Sequence, residues 1–368
     1  MFEKQKVPRL SVGTFLIKLT MEKILKDISE LNQKLIKSYE TLSDIKSVEI
    51  AQTPKTPVFH EDKLTLYQFD RSEKATIKTP VLIVYALVNT WKMMDLQPDR
   101  SYIRNLLDGG CDVYLIDWGF PTKADRYISM DDYVNGYINN CVDFILKKHG
   151  VKKLNIMSIC QGGTLSLIYT ALHQEKVKNL ITLVTPVDFS TNEGLLFKWS
   201  KDMDFDKLVE SNNGLIPGEF LNQGFEMLKP MMKFQKQQSM MNMLDDKDKL
   251  LNFMRMEKWI NESPDQTGEC FRQFMKDCYQ QNKLIKGELQ VGDHQVSLKD
   301  ITCPLLNIYA TEDHLVPPNA TIPLNEHVGS VDKELFGFKG GHIGVFVGSK
   351  SQKELAPAVI NWLKNRDK

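Results

Sequence analysis

Leu154-Asn-Ile-Met-Ser158-Ile-Cys160-Gln-Gly162-Gly163-Thr164 decides how this chain is read. Leu154 to Ile159 is a mostly apolar run, short enough for one strand buried on both faces. A cysteine, a glutamine and two glycines follow, and residues 164–173 continue with a helical pattern. A strand that turns straight into a helix needs small residues at the corner, because the helix backbone must approach the strand closely. Cys160 stands at that corner. The helix start offers it free N–H groups and a positive dipole end, which favour a thiolate and an oxyanion. The plain alternative is a buried structural cysteine beside a glycine turn.

Working outward, short apolar runs alternate with longer amphipathic stretches. Residues 64–69, 81–88, 113–116, 154–159, 180–184, 305–310 and 334–338 read as strands, and about 99–108, 131–149, 162–173 and 352–366 as helices. Residues 81–88 are apolar throughout, as suits a strand with both faces covered. Such alternation predicts an α/β protein with a mostly parallel sheet flanked by helices. Residues 188–299 break the rhythm. They hold few strand signals, and eight of the sixteen methionines fall between Met227 and Met256. That is too long for a simple connection and reads as an inserted, mainly helical cap.

Residues 15–45 lack Pro and Gly and carry Ile17, Met21, Ile24, Ile28, Leu31, Leu35 and Leu42 at helical spacing, with Ser38 interrupting. This stripe would pack on the body of the protein or on a partner helix. Thr53-Pro-Lys-Thr-Pro57 then reads as a linker. The expected division is 1–57 as N-terminal helical segment and linker, 58–187 with 300–368 as the α/β core, and 188–299 as the inserted cap.

If the corner cysteine is a nucleophile, an acid and a histidine should follow later strands in that order. Residues 305–310 run into Thr311-Glu312-Asp313-His314, and 334–338 run into Lys339-Gly-Gly-His342-Ile-Gly344. Asp313 is preferred to its neighbour Glu312 by its spacing after the strand. His342 alone sits in a glycine-flanked loop after the last strand, whereas His149, His173 and His294 read as surface residues. An oxyanion needs two N–H donors. Gln161, after the nucleophile, would give one, and Val88 or Asn89 the other; we assign it to Val88.

The chain has 368 residues, with 47 Lys and Arg against 47 Asp and Glu. That balance argues against nucleic-acid binding, which needs surplus cations. With 42% hydrophobic and 26% charged residues, the composition is that of a globular protein. No apolar run is long enough for a transmembrane segment, and the start lacks the pattern of a secretory signal. The six cysteines are scattered and read as free thiols. No Walker loop, GxGxxG, HExxH or CxxC is present and the seven histidines are dispersed, so neither metal nor cofactor is expected.

The corner resembles the nucleophile elbow of the α/β-hydrolase fold, with Cys where Ser is usual. From about residue 81 onward the chain resembles the polyhydroxyalkanoate synthases, specifically the short class III catalytic subunit. The resemblance rests on Leu82-Ile-Val-Tyr-Ala-Leu-Val-Asn89, Met94-Asp-Leu-Gln97, Asp112-Val-Tyr-Leu-Ile-Asp-Trp-Gly119, Cys160-Gln-Gly-Gly163, Thr185-Pro-Val-Asp-Phe189, Asn282-Lys-Leu-Ile-Lys-Gly-Glu288 and Gly341-His342. The family's box reads Gly-x-Cys-x-Gly-Gly; here Ser158 replaces its first glycine. The resemblance implies Cys160 as nucleophile, Asp313 as acid and His342 as base. It also implies polymerisation of (R)-3-hydroxyacyl-CoA, typically 3-hydroxybutyryl-CoA, with release of CoA through a covalent Cys thioester. It further implies a second synthase subunit, a homo-oligomer, and a cytoplasmic enzyme associated with polymer granules. The rival on the same fold is a Cys-dependent hydrolase, a thioesterase or dienelactone-hydrolase-like enzyme.

Overall fold

A computed structural model describes residues 12–71, 73–228 and 230–367. Eight strands build its main sheet: β1 Lys55–Glu61, β2 Leu64–Phe69, β3 Val81–Val84, β4 Val113–Asp117, β5 Leu154–Ile159, β6 Val177–Leu183, β7 Leu305–Ala310 and β8 Lys333–Phe338. Their order is β1-β2-β4-β3-β5-β6-β7-β8. The β1–β2 and β2–β4 pairs are antiparallel and the others parallel.

The continuous apolar strands are covered on both faces. Leu82 and Val84 of β3 join one core with α3 (Asn139–His149) and α4 (Gln161–Leu172). Val81 and Ile83 point the other way, to a core with α2 (Tyr102–Asp108) and a C-terminal helix, Ala356–Asn365. The expected α/β architecture with its mostly parallel sheet is the one observed.

Three expectations are corrected. The apolar run 81–88 is a strand only to Val84. Beyond it the Tyr85 carbonyl accepts a hydrogen bond from the Trp118 indole (2.9 Å), and Asn89 turns the chain with φ 58°. The proposed linker contributes its last residues to β1. Prolines mark a break in most contexts, but an edge strand tolerates them, and Pro57 sits at a register shift against β2. His149 and His173 are half-buried and hydrogen-bonded, to the Tyr114 hydroxyl (2.8 Å) and Asn135 (2.7 Å), rather than loose on the surface.

Between β6 and β7, neighbours in the sheet, the chain makes a long, mainly helical excursion that includes Gly218–Leu228, Pro230–Met243 and Lys247–Asn261. The described residues divide into two compact units, one drawn from residues 12–48 and 231–254, the other from 49–230 and 255–367. The first contains the helix Val12–Asp44 and an ion pair from Lys247 to Asp44 (3.3 Å). Of the N-terminal stripe, only Leu42 is among the described side chains, and it is exposed; those of Ile17, Met21, Ile24, Ile28, Leu31 and Leu35 lie outside them. Ser38, which interrupts the stripe, is buried and donates to the Lys34 carbonyl (2.7 Å).

Candidate active site

Cys160 joins β5 to α4 in a conformation that L-residues rarely adopt, φ 52° and ψ −123°. Its own N–H donates to the Leu183 carbonyl at the end of β6 (2.9 Å), while its carbonyl accepts from Gly163 (2.9 Å) and Thr164 (3.3 Å). The strain is held by both neighbours at once.

The glycines explain themselves sterically. A Cβ on Gly162 would lie 2.3 Å from the Tyr85 carbonyl oxygen, and one on Gly163 would lie 1.9 Å from the Thr185 hydroxyl. α4 therefore begins against the ends of both flanking strands. Ser158 is accommodated without such conflict: it is buried, and its hydroxyl donates to the Ile181 carbonyl (3.1 Å).

Cys160 is the only one of the six cysteines that is not buried. Burial pushes the Cys111 thiol up to about 12 and Cys303 to about 11, and raises Cys141, Cys270 and Cys278 further still. Cys160 packs against the cores on both faces of the sheet, at the strand ends.

The loops after β7 and β8 are tied together. Thr311 donates to the Phe338 carbonyl (2.8 Å) and Glu312 to that of Gly340 (2.9 Å). This brings Asp313 Oδ2 to 2.6 Å from His342 Nδ1, with the Asp313 side chain fully buried. The other carboxylate oxygen accepts the backbone N–H groups of Leu315 (2.9 Å) and Val316 (3.0 Å). Both oxygens of Asp313 are thus engaged, while Glu312 is exposed.

Burial works against protonation of His342 and is the largest influence on it. The Asp313 carboxylate, the charge of Cys160 and hydrogen bonds to both outweigh it, so the imidazole is pushed up to about 10. Cys160, Asp313 and His342, drawn from three separate loops, converge. Among the described residues, neither the Gln161 nor the Val88 N–H donates to another protein atom.

Two stretches singled out in the sequence also meet. Asn282 accepts from the Phe189 N–H (2.9 Å) and donates to Asp188 (2.8 Å). Phe189 packs on Phe197, Phe274 and Tyr279, and the buried Tyr279 lies close enough to Cys160 to feel its charge. This aromatic wall was missed, since its members are scattered along the insert. Among the described residues no group of His, Cys, Asp or Glu is arranged to hold a metal ion.

A family profile of the α/β hydrolase fold matches residues 79–349, and one for the N-terminus of poly-beta-hydroxybutyrate polymerase matches residues 9–106. Among curated proteins, the poly(3-hydroxyalkanoate) polymerase subunit PhaC of Allochromatium vinosum is 50% identical, over 96% of this chain and 100% of its own length. The subunit of the same name from Synechocystis is 44% identical over 96% of each chain. Among solved structures, a monoacylglycerol lipase from Paleococcus ferrophilus superposes with a TM-score of 0.53 at 14% identity, over 83% of this chain and 100% of its own. A putative lipase from Sulfolobus solfataricus does so with a TM-score of 0.52 at 15% identity, over 87% of this chain and 99% of its own. These last two speak for the fold alone.

Proposed function

The chain belongs to the poly(3-hydroxyalkanoate) polymerase family, and from that premise we propose how its residues carry the reaction. The enzyme is an acyltransferase that polymerises hydroxyacyl-CoA on an α/β-hydrolase fold. Our reading gives it a covalent thioester at Cys160, with (R)-3-hydroxybutyryl-CoA as the principal substrate. The observation that carries it is the convergence of Cys160, His342 and Asp313 at the ends of β5, β8 and β7.

The reactive pair in this scheme is a Cys160 thiolate beside a His342 imidazolium, whose protonated form the Asp313 carboxylate favours. The sulfur attacks the thioester carbonyl, and the N–H groups of Gln161 and Val88 hold the resulting oxyanion. As the C–S bond to CoA breaks, His342 gives its proton to the departing sulfur, so CoA leaves as the thiol. Acylation removes the negative charge from Cys160, one of the influences that raised His342. The now neutral imidazole is thereby turned from acid into base. It takes the proton of a 3-hydroxyl, whose oxygen attacks the Cys160 thioester. The ester forms, the thiolate and the imidazolium return, and the balance closes.

Asp313 acts through His342 in this scheme. Oδ1 accepts from two backbone N–H groups and Oδ2 faces His342, so three of its roughly four lone-pair sites are already committed within the protein. It holds the ring orientation and the charge. We propose in addition a second synthase subunit, association of copies with one another, and work at the surface of polymer granules. Among the described residues no helix is long and apolar enough to cross a membrane.

The test is to mix the purified chain with 3-hydroxybutyryl-CoA and follow CoA release and polymer together. Covalent radiolabel on Cys160 and growth of polyester are expected. Stoichiometric free hydroxyacid with no polymer would identify a thioesterase instead.

A further inference from the structure

Val88, the residue assigned the second oxyanion donor, is followed by Asn89 in the left-handed region, φ 58°. Asparagine tolerates that conformation better than most residues. Its side chain is not loose. It meets the hydroxyl of Ser263, which also lies 2.9 Å from Asn222 Oδ1 and 3.1 Å from the Ile260 carbonyl. Ser263 and Asn222 both belong to the long excursion between β6 and β7, so this is where that excursion touches the loop after β3.

Proton counting orders the cluster. A serine hydroxyl has one proton and cannot serve three acceptors. Asn222 is oriented by its Nδ2, which donates to the Ile260 carbonyl (2.8 Å), so its Oδ1 faces Ser263. The inventory closes when Ser263 donates to Asn222 and the Asn89 carboxamide turns its Nδ2 toward the Ser263 oxygen. The chain then runs Asn89 to Ser263 to Asn222 to the Ile260 carbonyl, with every bond satisfied.

Neighbouring contacts from residues 255–262 reach the end of the same loop and the residues just after it. The Trp259 indole donates to the Thr90 carbonyl (2.7 Å, buried), Lys92 pairs with Glu262, and Arg255 donates to the Gln97 side chain (2.9 Å). At the loop's other end, Trp118 fixes the Tyr85 carbonyl (2.9 Å). The segment 85–90 is therefore clamped at both ends, with Val88 between.

We propose that Asn89 is a positioning residue of the oxyanion hole, and that Ser263 and Asn222 hold it so that the Val88 N–H faces the developing charge. Residues 255–263 are then part of the catalytic apparatus, rather than only a cover over it. The inference rests on the acyl-transfer reading given above.

The experiment is single-turnover CoA release from 3-hydroxybutyryl-CoA by the full chain with Asn89→Gly, Ser263→Ala and both together. Glycine keeps the positive φ and removes only the side chain. Each single variant should acylate roughly tenfold more slowly, less than the loss of a donor itself, with half-saturation within about twofold of the parent. The double variant should be no slower than either single one, because both break the same chain. Asn89→Asp, which keeps the shape and the tolerance for positive φ but loses the donor, should match Asn89→Gly. Parental rates in Ser263→Ala, or losses that multiply in the double variant, would overturn the proposal. If Asn89→Gly fails to fold, Ser263→Ala decides alone. Cys160→Ala separates the two levels: residual acylation in it removes the underlying reading, whereas a dead Cys160→Ala beside fully active Asn89 and Ser263 variants removes only the positioning role.

Discussion

The carboxylate of Asp313 faces His342 with one oxygen, 2.6 Å from Nδ1, and spends the other on the backbone N–H groups of Leu315 and Val316. In the scheme proposed above, its influence on substrate passes through the imidazole.

Asp313→Asn keeps a side chain of the same shape but removes the charge. The expected outcome is an enzyme that still forms the acyl-enzyme, because the sulfur can attack a reactive thioester with modest help. Elongation should fall by about 10²- to 10⁴-fold, the range for losing an effective general base. Rapid-quench measurement of the CoA burst against steady polymer growth separates the two. Equal loss in both phases would contradict this division of labour.

The pH dependence follows from the direction of the His342 shift. Its protonated form accompanies the reactive thiolate, so the acylation rate should hold through neutral pH and decline as pH rises past about 10. Asp313→Asn removes a cause that raises His342, so that alkaline limb must move to lower pH. The check is a profile of single-turnover CoA release from pH 7 upward in both proteins. A limb that stays in place would disconnect His342 from Asp313.

The contrast among the cysteines gives a chemical test. Iodoacetamide at neutral pH should label Cys160 and spare Cys111, Cys141, Cys270, Cys278 and Cys303, all buried and, by that burial, hard to ionise. Peptide mass spectrometry reads the outcome. Cys160→Ala should lose CoA release while melting within a few degrees of the parent, about 1 kcal/mol or less in stability, since it deletes one sulfur at a partly exposed corner.

Ser158 offers a quieter prediction. Replacing it with glycine, the residue of the related box, deletes a buried hydrogen bond to Ile181 and frees the backbone of a central strand. A loss of about 1–2 kcal/mol in urea unfolding is expected, with acylation unchanged within about twofold. A large drop in rate would mean that the hydroxyl has a role beyond the fold.

The elbow and its partners could be read from the sequence because their chemistry is local. A strand, a nucleophile between small residues and a helix leave a mark within eleven residues, and Asp313 and His342 each follow a short apolar run. The β1 strand could not be read, since Pro57 within it and Pro54 before it imitate a linker, nor could the end of β3, since residues 85–88 stay apolar after the pairing stops. The Asn89–Ser263 and Ser263–Asn222 contacts join residues 174 and 41 positions apart, and no periodicity records such a meeting. Val184 gives no warning either. A β-branched residue just past β6 takes φ 46°, beside the strained Cys160, and only the packed strand ends force it there.

The sheet's two outer strands have a consequence for how copies of this chain behave when brought close together. β1 carries Pro57 at its bulge, and β8 opens with exposed Lys333 and Glu334, the latter anchored by Arg366 and Trp362. A missing donor with a kink on one side and charge on the other are the usual defences against strand addition. Each border thus carries a feature that disfavours a smooth ladder with a further strand, a proline kink on one side and a charged strand start on the other.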